Sequence, residues 1–283
     1  MRLANADDIV EEGADLLGSF PAAYQHLTQV LADPTANADR IAVAIRVDPA
    51  LTARLLGFAN AAHRSKGKEI QSISHAVAMC GRSQLRDLAT SSAIVSMFRG
   101  IPEHLIDMGA FWRHSMAVGI AAERLSNAVD RSRPSLFVPG LLHDIGALLL
   151  YMTRPDLARS ILIATENLAT EVREAESMWL GADHTEMGAQ LLERWGLPVL
   201  SVACARFHHS PSEAAAPLQW AADLVHLADV AVSAMQLGNG GERGAHPLDE
   251  TAWDRVGLKP IEAFLALAEI QDEVQEIATI LDA

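Results

Sequence analysis

Residues 140 to 150 read GLLHDIGALLL, a run of core-type residues with a histidine and an aspartate, His143 and Asp144, side by side at its centre. No other feature constrains the fold as much. A buried ionisable group is costly unless it is paired or bound to a metal. Whatever this chain folds into must therefore satisfy residues 143 and 144, either locally or by bringing partners to them from elsewhere.

The rest of the chain indicates what scaffold would supply those partners. Half of the 283 residues are hydrophobic but only 5% are aromatic, and Ala and Leu abound. That composition favours helices, and no strand alternation of useful length appears. The expectation is an all-α protein in which an N-terminal helical half packs on a helical bundle. Asp-Pro at 33–34 and 48–49 marks helix starts, with Asp as cap and Pro in the first turn. After Asp48, the residues Leu51, Leu55, Leu56 and Ala59 share one helical face. Gly81 separates a helix in SISHAVAMCG from one in SQLRDLATSSAIVSMF.

The segment RGIPEHLIDMG, with Gly100, Pro102 and Gly109, is read as a boundary, giving subdomains over 1–105 and 106–283. Helices are predicted over 111–128, 136–152, 155–174, 184–194, 198–207 and 217–236. The glycine-rich stretch QLGNGGERGAHPLD is predicted to be an exposed, flexible loop. Phe264, Leu267, Ile270, Val274, Ile277 and Leu281 form a helical stripe expected to pack on the core.

Charge and cysteines narrow the function classes. With 22 basic and 36 acidic residues the formal net charge is −14. Such a surface repels duplex nucleic acid and anionic membrane. A small anionic ligand is still admissible, because a bound metal reverses the sign locally. Two distant cysteines, Cys80 and Cys204, make neither a CxxC motif nor a disulfide framework, which points to a reducing compartment. The first 17 residues hold five acidic groups and no basic-flanked apolar core, so no signal peptide is expected. No run of about 18 apolar residues is present either. A soluble, cytoplasmic protein is the expectation.

Of the eleven histidines, the useful ones are those that sit on apolar helices. His114 lies in FWRHSMAVGIAAERL, His184 opens HTEMGAQLLERWGLP, and His208-His209 closes VLSVACARFHH. Asp229 sits in AADLVHLADVAVSAM. Taken singly, each has an ordinary reading. A lone histidine is commonly a hydrogen-bonded core residue, a paired histidine at a helix end is favoured by the dipole, and His226 could pair with Asp229 three residues on. His26, His63, His75, His104 and His246 are read as structural or solvated. As a set, five His and two Asp on several apolar helices suit an inward-facing site in a bundle, and imidazole with carboxylate is the donor set of iron, manganese, nickel or zinc. Two such ions about 4 Å apart are what phosphoester hydrolysis requires.

The order His114, His143-Asp144, His184, His208-His209, Asp229 resembles the metal-ligand order of the HD superfamily of metal-dependent phosphohydrolases. More narrowly, the chain resembles the HDOD family of bacterial signalling output domains. That resemblance rests on FPAAY, on DPALTARLLGFANAAH with Asp48, Pro49 and Asn60, and on IQSISHAVAMCGRSQLRDL. It continues through GLLHDIGALLL, GADHTEMGAQLLERWGLP and FHHSP, over roughly residues 16 to 230.

The resemblance implies an all-helical fold with an HDOD-specific N-terminal half and an HD-like bundle after it. It also implies a site for two divalent transition-metal ions on the seven residues just named. Related HD-GYP phosphodiesterases, which cleave cyclic di-GMP, carry a Lys where this chain has Ala147 and a Gly-Tyr-Pro segment where it has HHSPSEAAAPLQ. Some of them also have an acidic residue where it has Ala110.

The expected function is therefore a signalling module with a retained metal site, acting by binding a partner protein or a nucleotide, with little turnover of cyclic di-GMP. The alternative is an active phosphohydrolase in which Asp144 bridges the ions and the five His bind them; Arg206 is read as a solvated helix-end arginine, with contact to phosphate as its other reading. A third reading makes the metal a structural staple.

Overall fold

In a computed structural model of the chain, the described residues are 4–18, 21–47, 51–53, 55–56, 72–168, 171–240, 247–268 and 270–281. Every regular element among them is helical, and no strand occurs. Asp48, Pro49 and Asn60 lie outside the described residues, as do Ala59, Gly241 and Gly244.

The chain divides into two compact units. One comprises residues 19–97 with 272–283. It contains α2 (Ala22–Ala32), α3 (Ala38–Ile45) and α4 (Ile73–Met97), the last kinked at Gly81 where the sequence predicted a stop. Its local logic is helix-end chemistry. Asn37 caps α3 by accepting from the Arg40 N–H at 2.9 Å. Arg82 reaches back to donate to the carbonyls of Asp33 (2.5 Å) and Ala36, which closes the end of α2.

The other unit holds residues 1–18 and 98–271. The division therefore falls at 97/98, not at 105/106, and α1 (Ala6–Leu17) groups with the bundle. The reason is packing. Ile9 and Val10 of α1 are fully buried, its Glu12 pairs with Arg154 (2.6 Å to Nη2), and it lies against the helices at 145–153 and 184–194. The bundle proper comprises α5 (Met108–Val129), α6 (Phe137–Leu141), α7 (Ile145–Thr153), α8 (Pro155–Leu168), α9 (Val172–Leu180), α10 (His184–Arg194), α11 (Val199–Phe207) and α12 (Ala216–Ala234). After these come α13 (Glu250–Val256) and α14 (Pro260–Leu267), while α15 (Ile270–Leu281) falls from residue 272 onward in the first unit. Helix α6 packs on α5 and α11, α12 packs on α5, α6 and α11, and α7 packs on α10. No helix among the described residues is long and apolar enough to cross a membrane.

Three sequence expectations need correction here. The helix predicted over 136–152 is two helices, with a turn at 142–144 whose Ile145 N–H bonds the Leu142 carbonyl at 3.2 Å. The helix predicted over 155–174 is likewise two, α8 and α9. The C-terminal stripe is split between α14 and α15. Within it Ile270 and Val274 are buried, but Phe264 is 69% exposed because α14 turns Ala263 inward instead. The side chains of Ile277 and Leu281 lie outside the described residues.

Candidate metal centre

The break at 142–144 is what presents the His-Asp pair. Asp144 occupies the N-cap position of α7, where an aspartate ordinarily accepts from the next turn's N–H groups. Here its side chain makes no capping bond, so the carboxylate is left to face the bundle interior. His143 is held from behind, its Nδ1 2.8 Å from the Gly140 carbonyl. His208 sits at the C-cap of α11, with its Nδ1 3.0 Å from the Ala205 carbonyl. In each ring Nδ1–H donates to the backbone carbonyl, and Nε2 is directed elsewhere. This arrangement fixes the tautomer a metal-binding histidine needs.

His184 is oriented in the same way, but by a carboxylate. Asp183 caps α10 by accepting from Thr185 N–H (3.1 Å) and Glu186 N–H (3.3 Å), which sets His184 as the first helical residue. Burial would raise the Asp183 carboxyl, but His184, Thr185 and Arg173 bring it down to about 2. Glu176 of α9, 1% exposed, lies 2.7 Å from His184 Nδ1 and accepts from the His184 backbone N–H at 2.9 Å. Glu176 was missed from the sequence. It lies eight residues before His184, just past the end of the helix predicted over 155–174, and no motif spacing marks it.

The Nε2 atoms and carboxylate oxygens then meet. Asp144 Oδ1 is 3.2 Å from His208 Nε2 and 3.5 Å from His184 Nε2, and His184 Nε2 is 3.2 Å from His209 Nε2. Asp144 Oδ2 faces the other way, 3.1 Å from His143 Nε2. Asp229 Oδ1, from α12, is 3.1 Å from His114 Nε2 and 3.8 Å from His143 Nε2. Two groups result, Asp144–His184–His208–His209 and His114–His143–Asp229, each with its donor atoms within 4.8 Å of one another. The structure thus brings all seven of these residues together, with Asp144 between the groups.

The donor set passes a geometric test for metal. Donors sharing one ion at about 2.0–2.2 Å lie about 3.0–3.5 Å apart, which is the spacing of most of these pairs. Among the described residues, His143 Nε2, His208 Nε2 and Asp144 Oδ1 are buried and make no hydrogen bond, a costly arrangement in a protein interior unless something else satisfies them. The local electrostatics are correspondingly tense. Burial would raise Asp144, yet the charge of His143 holds its carboxyl well below the ordinary range, with His208 and His184 adding to the effect. Burial pushes His208 down. Burial would also lower His143, but Asp144 and Asp229 raise it.

Other candidates fall outside the cluster. His226 is structural, with Nδ1 2.7 Å from the His208 carbonyl and Nε2 accepting from Asp249 N–H at 2.9 Å. Arg206 is held by Glu186 (2.8 Å) and Glu193 (3.0 Å), the reverse of a side chain presented to phosphate. His75 is exposed, and His63 and His246 lie outside the described residues.

Removing the carboxylate behind His184 should show in affinity. Outer carboxylates that orient a ligating histidine typically contribute about 10–100-fold to metal binding. Glu176→Ala should weaken binding by that order in a competition titration against a chromophoric chelator, with Glu176→Gln in between. Unchanged affinity in both would mean that the Glu176–His184 bond only braces α9.

Comparison with known proteins places the chain among relatives of one family. The model of the HDOD domain family matches residues 17–211. The chain is similar to an uncharacterized protein of Treponema pallidum (strain Nichols), 24% identical over 205 residues, which is 71% of this chain; it spans only 39% of that protein's length. Among solved structures it is similar to an HDOD domain protein of unknown function from Geobacter sulfurreducens, 24% identical with a TM-score of 0.78, covering 97% of this chain and 96% of that one. It is also similar to a candidate signal transduction protein from Marinobacter aquaeolei VT8, 20% identical with a TM-score of 0.76, covering 100% and 62% respectively. At these identities the structural likeness speaks for the all-helical fold.

Proposed function

The chain belongs to the HDOD domain family, and from that premise we propose that it is a signal-transduction output module whose bundle binds two divalent transition-metal ions and which acts by binding a partner protein or a nucleotide. The observation that carries the metal half of this reading is Asp144, whose Oδ1 faces His184 and His208 while its Oδ2 faces His143. One ion would be held by His114, His143, Asp229 and Asp144 Oδ2, the other by Asp144 Oδ1, His184, His208 and His209. The mix of imidazole and carboxylate suits iron, manganese, nickel or zinc alike.

A binding role is favoured over hydrolysis by what surrounds the cluster. The small apolar Ala147 stands where related phosphodiesterases carry a cation, and Arg206 is engaged by two glutamates. The second reading, a phosphohydrolase on a nucleotide or other phosphoester, draws support from the completeness of the ligand set. Paired ions of this kind polarise a phosphoryl oxygen and lower the pKa of a shared water.

Elemental analysis of protein purified without chelator, with anomalous scattering from its crystals, should find two ions per chain. Metal-loaded protein should turn over cyclic di-GMP little or not at all. Fewer than two ions would overturn the two-ion site, and robust hydrolysis lost on changing His208 would favour the enzyme.

A further inference from the structure

The two halves of the cluster differ in how they meet solvent, and the difference comes from a segment that the sequence marked only as a loop. Residues 237–240 follow α12 and run back across the bundle. Leu237 N–H bonds the Val232 carbonyl at 3.3 Å, and Asn239 N–H bonds the Ala110 carbonyl on α5 at 3.1 Å. Gly238 has φ +91°, and a Cβ there would lie 2.4 Å from both the Ala110 carbonyl oxygen and the His114 nitrogen.

Gly240 is the more telling residue. Its φ lies outside the left-handed range in which glycine is favoured, so any residue could adopt its backbone conformation. It is buried nonetheless, and a Cβ on it would stand 2.6 Å from Asp144 Oδ2 and 3.2 Å from His114 Nε2. Glycine is needed there for space, because the strap lies directly against Asp144 Oδ2 and His114 Nε2. That group is enclosed, with side-chain exposures of 4%, 0% and 1% for His114, His143 and Asp229. In the other group His209 is only partly buried, so that half borders solvent.

Resting on the two-ion reading above, we infer that the two metal positions have unequal access. The position at His114, His143 and Asp229 is sealed by the strap at residues 237–240. The position at His184, His208 and His209 exchanges its ion and is where an external oxyanion ligand would bind. An ion leaving the sealed position must displace backbone seated on its donors, whereas the other can leave past His209. The strap then governs both the lifetime of the inner ion and the side from which ligands approach.

The test is metal release from protein loaded with zinc, followed by stopped-flow absorbance in excess chromophoric chelator. Wild-type protein should release its two ions in two phases of equal amplitude, differing about tenfold or more in rate, a barrier difference of about 1.4 kcal/mol. His209→Ala should abolish the fast phase and keep the slow one. Gly240→Ala, which sets a methyl against Asp144, and Asn239→Pro, which deletes the N–H that ties the strap to Ala110, should each speed the slow phase towards the fast one. Two ions released in one phase by the wild type would overturn the inference while leaving the two-ion site standing, as would a slow phase unmoved by both strap variants. Fewer than two ions released by the wild type would instead overturn the two-ion site, and the inference with it.

Discussion

Replacing Asp144 by Ala should strip both metal ions from the protein at once, because the two oxygens of this one carboxylate face the two donor groups at 3.1 Å and 3.2 Å. An ion present at about a hundredfold above its Kd adds about 2.7 kcal/mol to the folded state. For a protein of this size each kcal/mol moves Tm by about 2–4 °C. Wild-type protein should therefore melt on the order of 10 °C higher with saturating metal than in chelator, and Asp144→Ala should show no such increment. The comparison has to be made within each variant, since the substitution also deprives buried His143 of its partner and lowers stability without metal. His75→Ala, an exposed site in the other unit, should retain the full increment.

Acidity offers an independent check on the same pair. His143 is raised above its ordinary value by Asp144 and Asp229, against the opposing effect of burial. In chelator its contribution to stability is present at low pH and lost as pH rises through the raised value. Metal requires the neutral ring, so the metal-dependent increment has the opposite sign and shrinks as pH falls through the same range. Melting curves in which both contributions ran in the same direction would exclude His143 as a ligand.

What the sequence disclosed follows from what periodicity can encode. His114 and Asp229 stood out because each is an ionisable group on a mostly apolar helix, legible at helical spacing, and His184 because it fell into order with them. The turn at 142–144 was not legible, because GLLHDIGALLL is apolar enough to read as continuous helix. Its interruption is a tertiary demand, made by the donors that Asp144 faces. Glu176 was hidden for a related reason: its partner His184 lies on another helix, and cross-helix contacts leave no periodic trace. α1 reads as an ordinary amphipathic helix, and nothing in its own residues says which unit will bury Ile9 and Val10. Gly240 looked like loop punctuation among its neighbouring glycines, whereas its role is set by the two side chains beneath it.

The same kind of tertiary demand predicts a substitution whose effect should run against local propensity. Gly146 on α7 and Gly188 on α10 both sit inside helices, where Gly→Ala ordinarily stabilises by about 0.5–1 kcal/mol. A Cβ on Gly188 would find its nearest neighbours, the Gly146 backbone and the Ile145 side chain, at 3.0–3.4 Å, a tight fit that requires a shift of only a few tenths of an ångström. A Cβ on Gly146 would lie 2.0 Å from the His184 carbonyl oxygen and 2.5 Å from the Gly188 nitrogen, and neither of these backbone atoms has a rotamer through which to yield. Gly146→Ala must therefore push α7 and α10 apart, and overpacking against backbone should cost about 3 kcal/mol or more. The separation also carries His184 away from Asp144, now 3.5 Å distant, so the variant should bind metal weakly at that position even where it remains folded. Urea denaturation in chelator isolates the packing effect from the metal. Gly146→Ala should lower the midpoint sharply and Gly188→Ala should shift it by about 1 kcal/mol or less, within the range of an ordinary helix substitution. A Gly146→Ala protein as stable as the wild type would show that the two helices do not cross this closely, and with that the placement of His184 beside the His-Asp pair would lose its support.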